Sequence, residues 1–164
     1  MIILHKEQIN QKIKRIAREI YERHVDDKEL ILIGIKDQGA LFTRQIASEL
    51  GQISPLKVTC GHIEIDKLNP SGSSIQMDIT ASALKNKHLV LVDDVLHSGK
   101  TLFYALSAIA QAHPKSIETV VLVERFHKRF PVEVSYCGIQ LATTHKDHIY
   151  VVFNGTNDWS VELK

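Results

Sequence analysis

Asp93 and Asp94 stand side by side at the end of an apolar run, and Ser98, Gly99, Lys100 and Thr101 follow closely. A glycine lets the backbone approach a ligand, the two hydroxyls can donate hydrogen bonds, and the lysine adds positive charge. Where such a loop opens a helix, the unpaired N–H groups of the first turn make a site suited to phosphate. The triplet Gly99-Lys100-Thr101 resembles the end of a nucleoside-triphosphate loop, but the first glycine of that motif would fall on residue 94, which is Asp. What remains is a monophosphate cradle entered by two carboxylates. Carboxylates accept hydrogen bonds from hydroxyls, so the pairing suits a phosphorylated sugar. In a regular strand Asp93 and Asp94 would face opposite sides, so the chain is expected to be leaving the sheet there for both to reach one ligand.

The elements that position this segment are read from periodicity. Ile9, Ile13, Ile16, Ala17 and Ile20 recur at helical spacing within residues 5–25, and Leu41, Ile46, Ala47 and Leu50 do so within 40–50. Residues 30–33, 88–92 and 118–123 are short continuous apolar runs, the pattern of strands covered on both faces. Residues 101–111 form a further helix between two of these runs. Residues 56–65 and 75–79 predict a hairpin joined by a turn-rich loop, 66–74, with Pro70, Gly72 and three serines. That loop is expected to be mobile. Shorter strands are expected at 132–137 and 148–153, and the tail around Trp159 has no clear pattern. Two strand-helix-strand crossovers imply an α/β fold, a mostly parallel sheet with helices on both faces, in a single domain over residues 1–164. In such a sheet ligands sit beyond the carboxyl ends of the strands, where the Asp93–Thr101 segment falls.

Composition narrows the function classes. The chain has 164 residues, 44% hydrophobic and 24% charged, with 20 Lys and Arg against 19 Asp and Glu. This suits a folded domain that needs no disulfide, and a net charge of +1 argues against a nucleic-acid-coating protein. Cys60 and Cys137 have no metal-ligand spacing, so a reducing, cytoplasmic location is expected. No uninterrupted apolar run exceeds five residues, so no membrane association is expected.

The run from Val90 to Leu102, Val-Leu-Val-Asp-Asp-Val-Leu-His-Ser-Gly-Lys-Thr-Leu, resembles the phosphoribosyl diphosphate signature of type I phosphoribosyltransferases. Within that family the chain is most similar to the pyrimidine operon attenuator/uracil phosphoribosyltransferase (PyrR) proteins. That likeness also runs through Ile33–Gly39, Cys60–Asp66 and Val121–Pro131. The resemblance implies the type I fold with a small C-terminal hood, and Mg2+-dependent transfer of ribose 5-phosphate from phosphoribosyl diphosphate to a nucleobase. Uracil, giving UMP and diphosphate, is the first expectation, and hypoxanthine or guanine the alternative. Asp93, Asp94 and His97 are the implied catalytic residues, with Asp93 and Asp94 also beside the metal. Val95, Leu96, Ser98, Gly99, Lys100 and Thr101 would bind the 5-phosphate, and Lys36, Asp37, Gln38 and Gly39 the diphosphate, with Arg125 at the rim. The loop 66–74, with Lys67 its one cation, would close over the donor.

The chain departs from these relatives in places. Gln38 replaces an arginine of PyrR-like proteins, and Asn154 replaces an aspartate that several relatives hold near the metal. His97 stands where hypoxanthine-type relatives have an aspartate and PyrR-like ones a tyrosine. The resemblance also raises messenger RNA as a partner, and a homo-oligomer. Two basic sets bear on RNA, Lys12, Lys14, Arg15, Arg18 and Arg23 in the first helix, and Arg125, His127, Lys128 and Arg129. Arg15–Glu19 and Glu19–Arg23 have the spacing of a solvated helix face, and no aromatic-rich segment accompanies either set. Transfer chemistry is therefore the first reading and regulation the second.

Overall fold

The computed structural model describes residues 1–71, 74–144, 146–156 and 158–164. In chain order the elements are β1 (Ile2–His5), α1 (Lys6–Arg23), β2 (Glu29–Ile35), α2 (Gln38–Ile53), β3 (Lys57–Glu64), β4 (Gln76–Met77), α3 (Ala81–Leu84), β5 (His88–Leu96), α4 (Lys100–Ala110), β6 (Ser116–Arg125), β7 (Tyr136–Leu141), β8 (Ile149–Asn154) and β9 (Asp158–Leu163). The main sheet has the order β4-β3-β2-β5-β6-β7. Only β4 runs antiparallel, against β3.

Alternation along the central strands divides the core between the two faces. Leu30, Leu32, Val90, Val92, Val120 and Leu122 pack with Ile9, Ile16 and Ile20 of α1 and Phe42 and Ile46 of α2. Ile31, Ile33, Leu89, Leu91 and Val121 pack on the other face with Leu102, Ala105 and Ile109 of α4. A strand apolar at every position is stable only where both faces are covered, as these are. The sheet changes direction at β2: the chain passes through α2 to β3 on one side, while β5 and β6 extend the other. The crevice between the ends of β2 and β5 is thus the switch point where an open α/β sheet binds ligands.

Three expectations are corrected. The strand expected over 75–79 shrinks to Gln76–Met77, because Asp78 Oδ1 accepts from the His62 N–H at 2.7 Å, replacing a backbone ladder bond with a side chain. The strand expected over 132–137 begins only at Tyr136, where the chain enters register with Val120 of β6. Val132 and Val134 instead pack as loop residues on the α4-side core. The tail around Trp159 is β9, central in a three-stranded antiparallel sheet β1-β9-β8. The hood is therefore built from both chain ends, not from the C-terminal segment alone. Gly72 and Ser73 of the 66–74 loop lie outside the described residues.

The hood is fastened to the main domain by aromatic packing. Phe42 is fully buried and stacks on Phe153 with ring centroids 5.7 Å apart, and Phe153 meets Trp159 edge-on at 5.4 Å. Phe42→Ala should cost about 3–5 kcal/mol, since the cavity opens between two layers that cannot easily close on it. Urea unfolding of the variant against the parent protein measures this directly.

Candidate active site

β5 pairs with β2 only from Leu89 to Val92, but with β6 as far as Leu96 opposite Glu124. Its last four residues therefore have one open edge, facing the crevice. The strand's alternation also breaks there: Val95 joins the α1/α2-side core and Leu96 the α4-side core, opposite in parity to Val92 and Leu91. This corrects the expectation that the chain must leave the sheet for both carboxylates to converge. Pairing with β6 persists, and the broken alternation brings Asp93 and Asp94 together.

Their meeting point is occupied by an ammonium group. Lys67 Nζ lies 3.2 Å from Asp93 Oδ1 and 3.1 Å from Asp94 Oδ1, and the Asp94 N–H donates to Asp93 Oδ1 at 2.9 Å. Asp93 is only 4% exposed. Burial, and then the neighbouring charge of Asp94, push its carboxyl well above the usual range. Burial opposes the charge on Lys67, but Asp93 and Asp94 outweigh it and raise the ammonium's pKa. Two carboxylates facing one cation at low dielectric keep a residual negative field. Lys67 was not among the expected site residues. Its signal was present in the sequence as the lone cation of the loop that leaves β3.

Residues Val95 to Thr101 line a cavity of about 220 Å³ together with Lys67, Asp93 and Asp94. Gly99 precedes α4 at φ +84°, a left-handed conformation that other residues rarely adopt, and a Cβ there would stand 2.7 Å from Val132 Cγ2. Ser98 Oγ accepts from the Lys100 N–H at 3.3 Å, while its carbonyl accepts from Arg129 and Phe130 at 2.8 and 3.1 Å. The loop is thereby held against residues 129–130, and the first turn of α4 points into the cavity with the positive end of the helix dipole.

The loop after β2 closes the other side. A Cβ on Gly39 would fall 3.0 Å from Val92 O and 3.3 Å from Asp93 Oδ1, so a side chain there would crowd the start of α2 against Asp93. Asp37 precedes α2 at φ 73°, ψ −119°, a sparsely populated conformation for a residue with a side chain. Lys36 directs its ammonium away, to Glu64 Oε1 at 3.0 Å, and Gln38 Oε1 accepts from the Phe153 N–H of β8 at 2.8 Å. What this loop offers an anion is its backbone, while its two longest side chains brace it. Gln38 in particular carries a structural bond to the hood.

At the rim, Arg125 lies 3.2 Å from His97 Nδ1, donates to Thr143 Oγ1 at 2.7 Å and to the Thr144 carbonyl at 2.8 Å. Burial, and then the Arg125 charge, lower the His97 pKa below its ordinary value, so the imidazole is neutral at pH 7. Part of each basic set is engaged within the protein. Arg15 donates to the carbonyls of Cys137 and Gly138, both at 2.8 Å, Arg23 pairs with Glu118 at 3.0 Å, and Lys128 pairs with buried Glu124 at 2.8 Å. Among the described residues no helix is long and apolar enough to cross a membrane.

Known proteins resemble this chain in sequence and in fold. A phosphoribosyl transferase domain model matches residues 2–154. Bifunctional protein PyrR of Geobacter sp. (strain M21) is 31% identical over 163 residues, covering 95% of this chain and 92% of that protein. Its counterpart in Clostridium novyi (strain NT) is 32% identical, covering 92% and 89%. The hypoxanthine phosphoribosyltransferase of Trypanosoma cruzi superimposes with a TM-score of 0.82 over 99% of this chain and 95% of that one, at 19% identity. A hypoxanthine-guanine phosphoribosyltransferase of Bacillus anthracis gives 0.72, also at 19% identity, over 86% and 82%. These two structures share the fold. The family match spans the loop after β2, the acid pair and the β5–α4 loop alike, so the chain belongs to the phosphoribosyl transferase family and is a phosphoribosyltransferase.

Proposed function

We propose that the chain transfers the 5-phosphoribosyl group of phosphoribosyl diphosphate to uracil, releasing diphosphate. The observation that carries the donor assignment is the convergence of Asp93 and Asp94 on one cation position beside the Gly99 turn and the start of α4. The 5-phosphate would lie on the backbone N–H groups of residues 98–101, with the Ser98 and Thr101 hydroxyls around it. The diphosphate would meet the backbone of residues 36–39. Breaking the bond to diphosphate leaves an electron-poor sugar, and the carboxylates of Asp93 and Asp94 stabilise that charge where they hold the ribose hydroxyls. Holding sugar and base in line supplies the rest.

The residues present fit a hard divalent ion, because two carboxylate oxygens aim at the point now filled by Lys67 Nζ. Asp93 and Asp94 would hold Mg2+ there with phosphate oxygens and water completing the shell, and its charge would ease the departure of diphosphate. Lys67 would have to withdraw, which ties its loop to donor entry.

Two features support uracil over a purine. The curated relatives at 31–32% identity are named PyrR, and the base-facing loop carries a neutral imidazole, not a carboxylate. Neutral histidine can donate to a pyrimidine carbonyl or accept from its N–H. RNA is the weaker partner reading, since Arg15, Arg23, Arg125 and Lys128 are engaged within the protein. Self-association belongs to the same proposal: exposed Ile2 and Tyr150 both pair with Glu162 of β9 and so lie in one row across the hood.

Thr101→Phe should abolish detectable donor binding by calorimetry while leaving the circular dichroism spectrum unchanged. Asp94→Asn should lower kcat about 10²–10³-fold, the range for losing one preorganised electrostatic contact. Retention of donor affinity by the first variant, or of turnover by the second, overturns the donor assignment. Lys67→Met should lower the Mg2+ concentration for half-maximal donor binding roughly tenfold, because the competing ammonium is gone. A panel of uracil, hypoxanthine and guanine under identical conditions decides the acceptor, and turnover of a purine with none of uracil reverses that choice. Light scattering that reads a monomer at micromolar concentration removes the self-association.

A further inference from the structure

The opposite end of the main sheet holds a second polar cluster, which the transfer reaction does not use. His24 caps the C-terminus of α1, Asp27 lies just beyond the turn that follows, and His88 is the first residue of β5. Five strand steps, about 17 Å, lead from His88 to Asp93, so the two sites are independent. The Asp27 carboxylate bridges the two imidazoles, with Oδ2 2.7 Å from His24 Nδ1 and Oδ1 3.5 Å from His88 Nε2. One ligand atom from each residue falls within 4.8 Å of the others. Ligand atoms at the usual bond lengths around a tetrahedral zinc ion are about 3.3 Å apart, so small side-chain shifts suffice to enclose an ion.

The remaining ring nitrogens are also committed. His24 Nε2 meets Glu118 Oε1, and His88 Nδ1 lies 2.6 Å from Ser116 Oγ. Metal-binding histidines characteristically have the distal nitrogen held by a carboxylate or other acceptor, which fixes the ring and raises its basicity. Glu118 is itself held, accepting from Tyr136 OH at 2.7 Å and from Arg23 at 3.0 Å on its other oxygen. The His24 side chain is 5% exposed, whereas Asp27 and His88 are 27% and 21% exposed. An ion can therefore enter from solvent on the Asp27–His88 side and keep water on its open face. The positive neighbours lie outside the three-atom set: Arg23 sits on the far oxygen of Glu118, and Lys115 acts on Asp27 through charge alone.

We propose that His24, Asp27 and His88 form a binding site for a divalent transition ion of the zinc class, which clasps the end of α1 to the start of β5. Two imidazoles and one carboxylate suit such an ion better than Mg2+ or Ca2+, which favour oxygen donors throughout. Binding displaces the proton shared between His24 Nδ1 and Asp27, since a nitrogen must be unprotonated to coordinate. Glu118 and Ser116, on β6, then act as positioning residues for the two rings.

The test uses full-length, chelator-treated protein carrying Asp94→Asn, which weakens ion binding at the donor site, with Co2+ as a visible-absorbing probe and Zn2+ as competitor. One equivalent of Co2+ should bind with a visible absorption band, be displaced by Zn2+, and raise Tm by roughly 5 °C at a hundredfold excess over Kd. His88→Gln and Asp27→Asn, both at partly exposed positions, should each abolish the stoichiometric band in protein that remains folded by circular dichroism. Ser116→Ala should weaken binding ~10–100-fold without abolishing it. An unchanged band in both ligand variants, or no binding at tens of micromolar ion, overturns the proposal. Because the readouts are colour, stoichiometry and Tm, they are independent of whether uracil is the acceptor.

Discussion

The arrangement of the active site depends on the early release of β5 from β2. After Val92 the strand keeps β6 on one side and has a crevice on the other, and its alternation breaks. Without that release, Asp93 and Asp94 would be separated by the plane of the sheet. With it, two carboxylates share one cation position at the carboxyl edge of a strand whose preceding residues are buried on both faces. Such a pair is unfavourable in isolation, because each charge raises the cost of the other and burial adds to it. Lys67 offsets this cost, and the surrounding core keeps the geometry from relaxing.

The hood bears on the loop after β2 through a short physical path. Gln38 opens α2 and accepts from the Phe153 N–H, while Phe42, one turn further along α2, stacks on the Phe153 ring. The backbone at Asp37 is held in a conformation that costs of order 1–3 kcal/mol, and persists only where its surroundings over-determine it. The Gln38 bond, the Phe42 stack and the close seat of Gly39 on Asp93 are those surroundings. Gln38 thus serves this loop as a brace, through its bond to the Phe153 N–H.

The two ends of the sheet carry polar clusters of different kinds. At the carboxyl ends of the strands, aspartates and backbone N–H groups face a cavity, an environment for phosphate and hard cations. At the amino ends, imidazoles and carboxylates are knitted into a compact network linking α1, β5 and β6. Glu118 shows how strongly that network holds its charge: burial opposes ionisation, yet bonds from His24, Tyr136 and Arg23 bring its pKa down to about 2. Both clusters lie on β5, so one buried strand supports chemistry at one end and fastening at the other.

The chemistry-bearing segment was legible from local order alone, because an apolar strand, two acids, a hydroxyl-rich turn and a helix start each leave a short-range mark in residue types. Helices α1, α2 and α4 and strands β2, β5 and β6 were legible for the same reason, since periodicity reflects which faces are buried. The sequence likewise marked Gly99 as a place where the backbone approaches a ligand closely, whereas the close seat of Gly39 on Asp93 is visible only in the structure. What it could not determine was anything set by pairing between distant segments. The shortening of β4 follows from the Asp78 side chain meeting His62, and the strand identity of the Trp159 tail from its partners β1 and β8. The placement of Lys67 between the acids, the use of Gln38 as a brace, and the meeting of His24, Asp27 and His88 are likewise decided by the tertiary structure. Each depends on where one strand ends relative to its neighbour, a register that no single segment encodes.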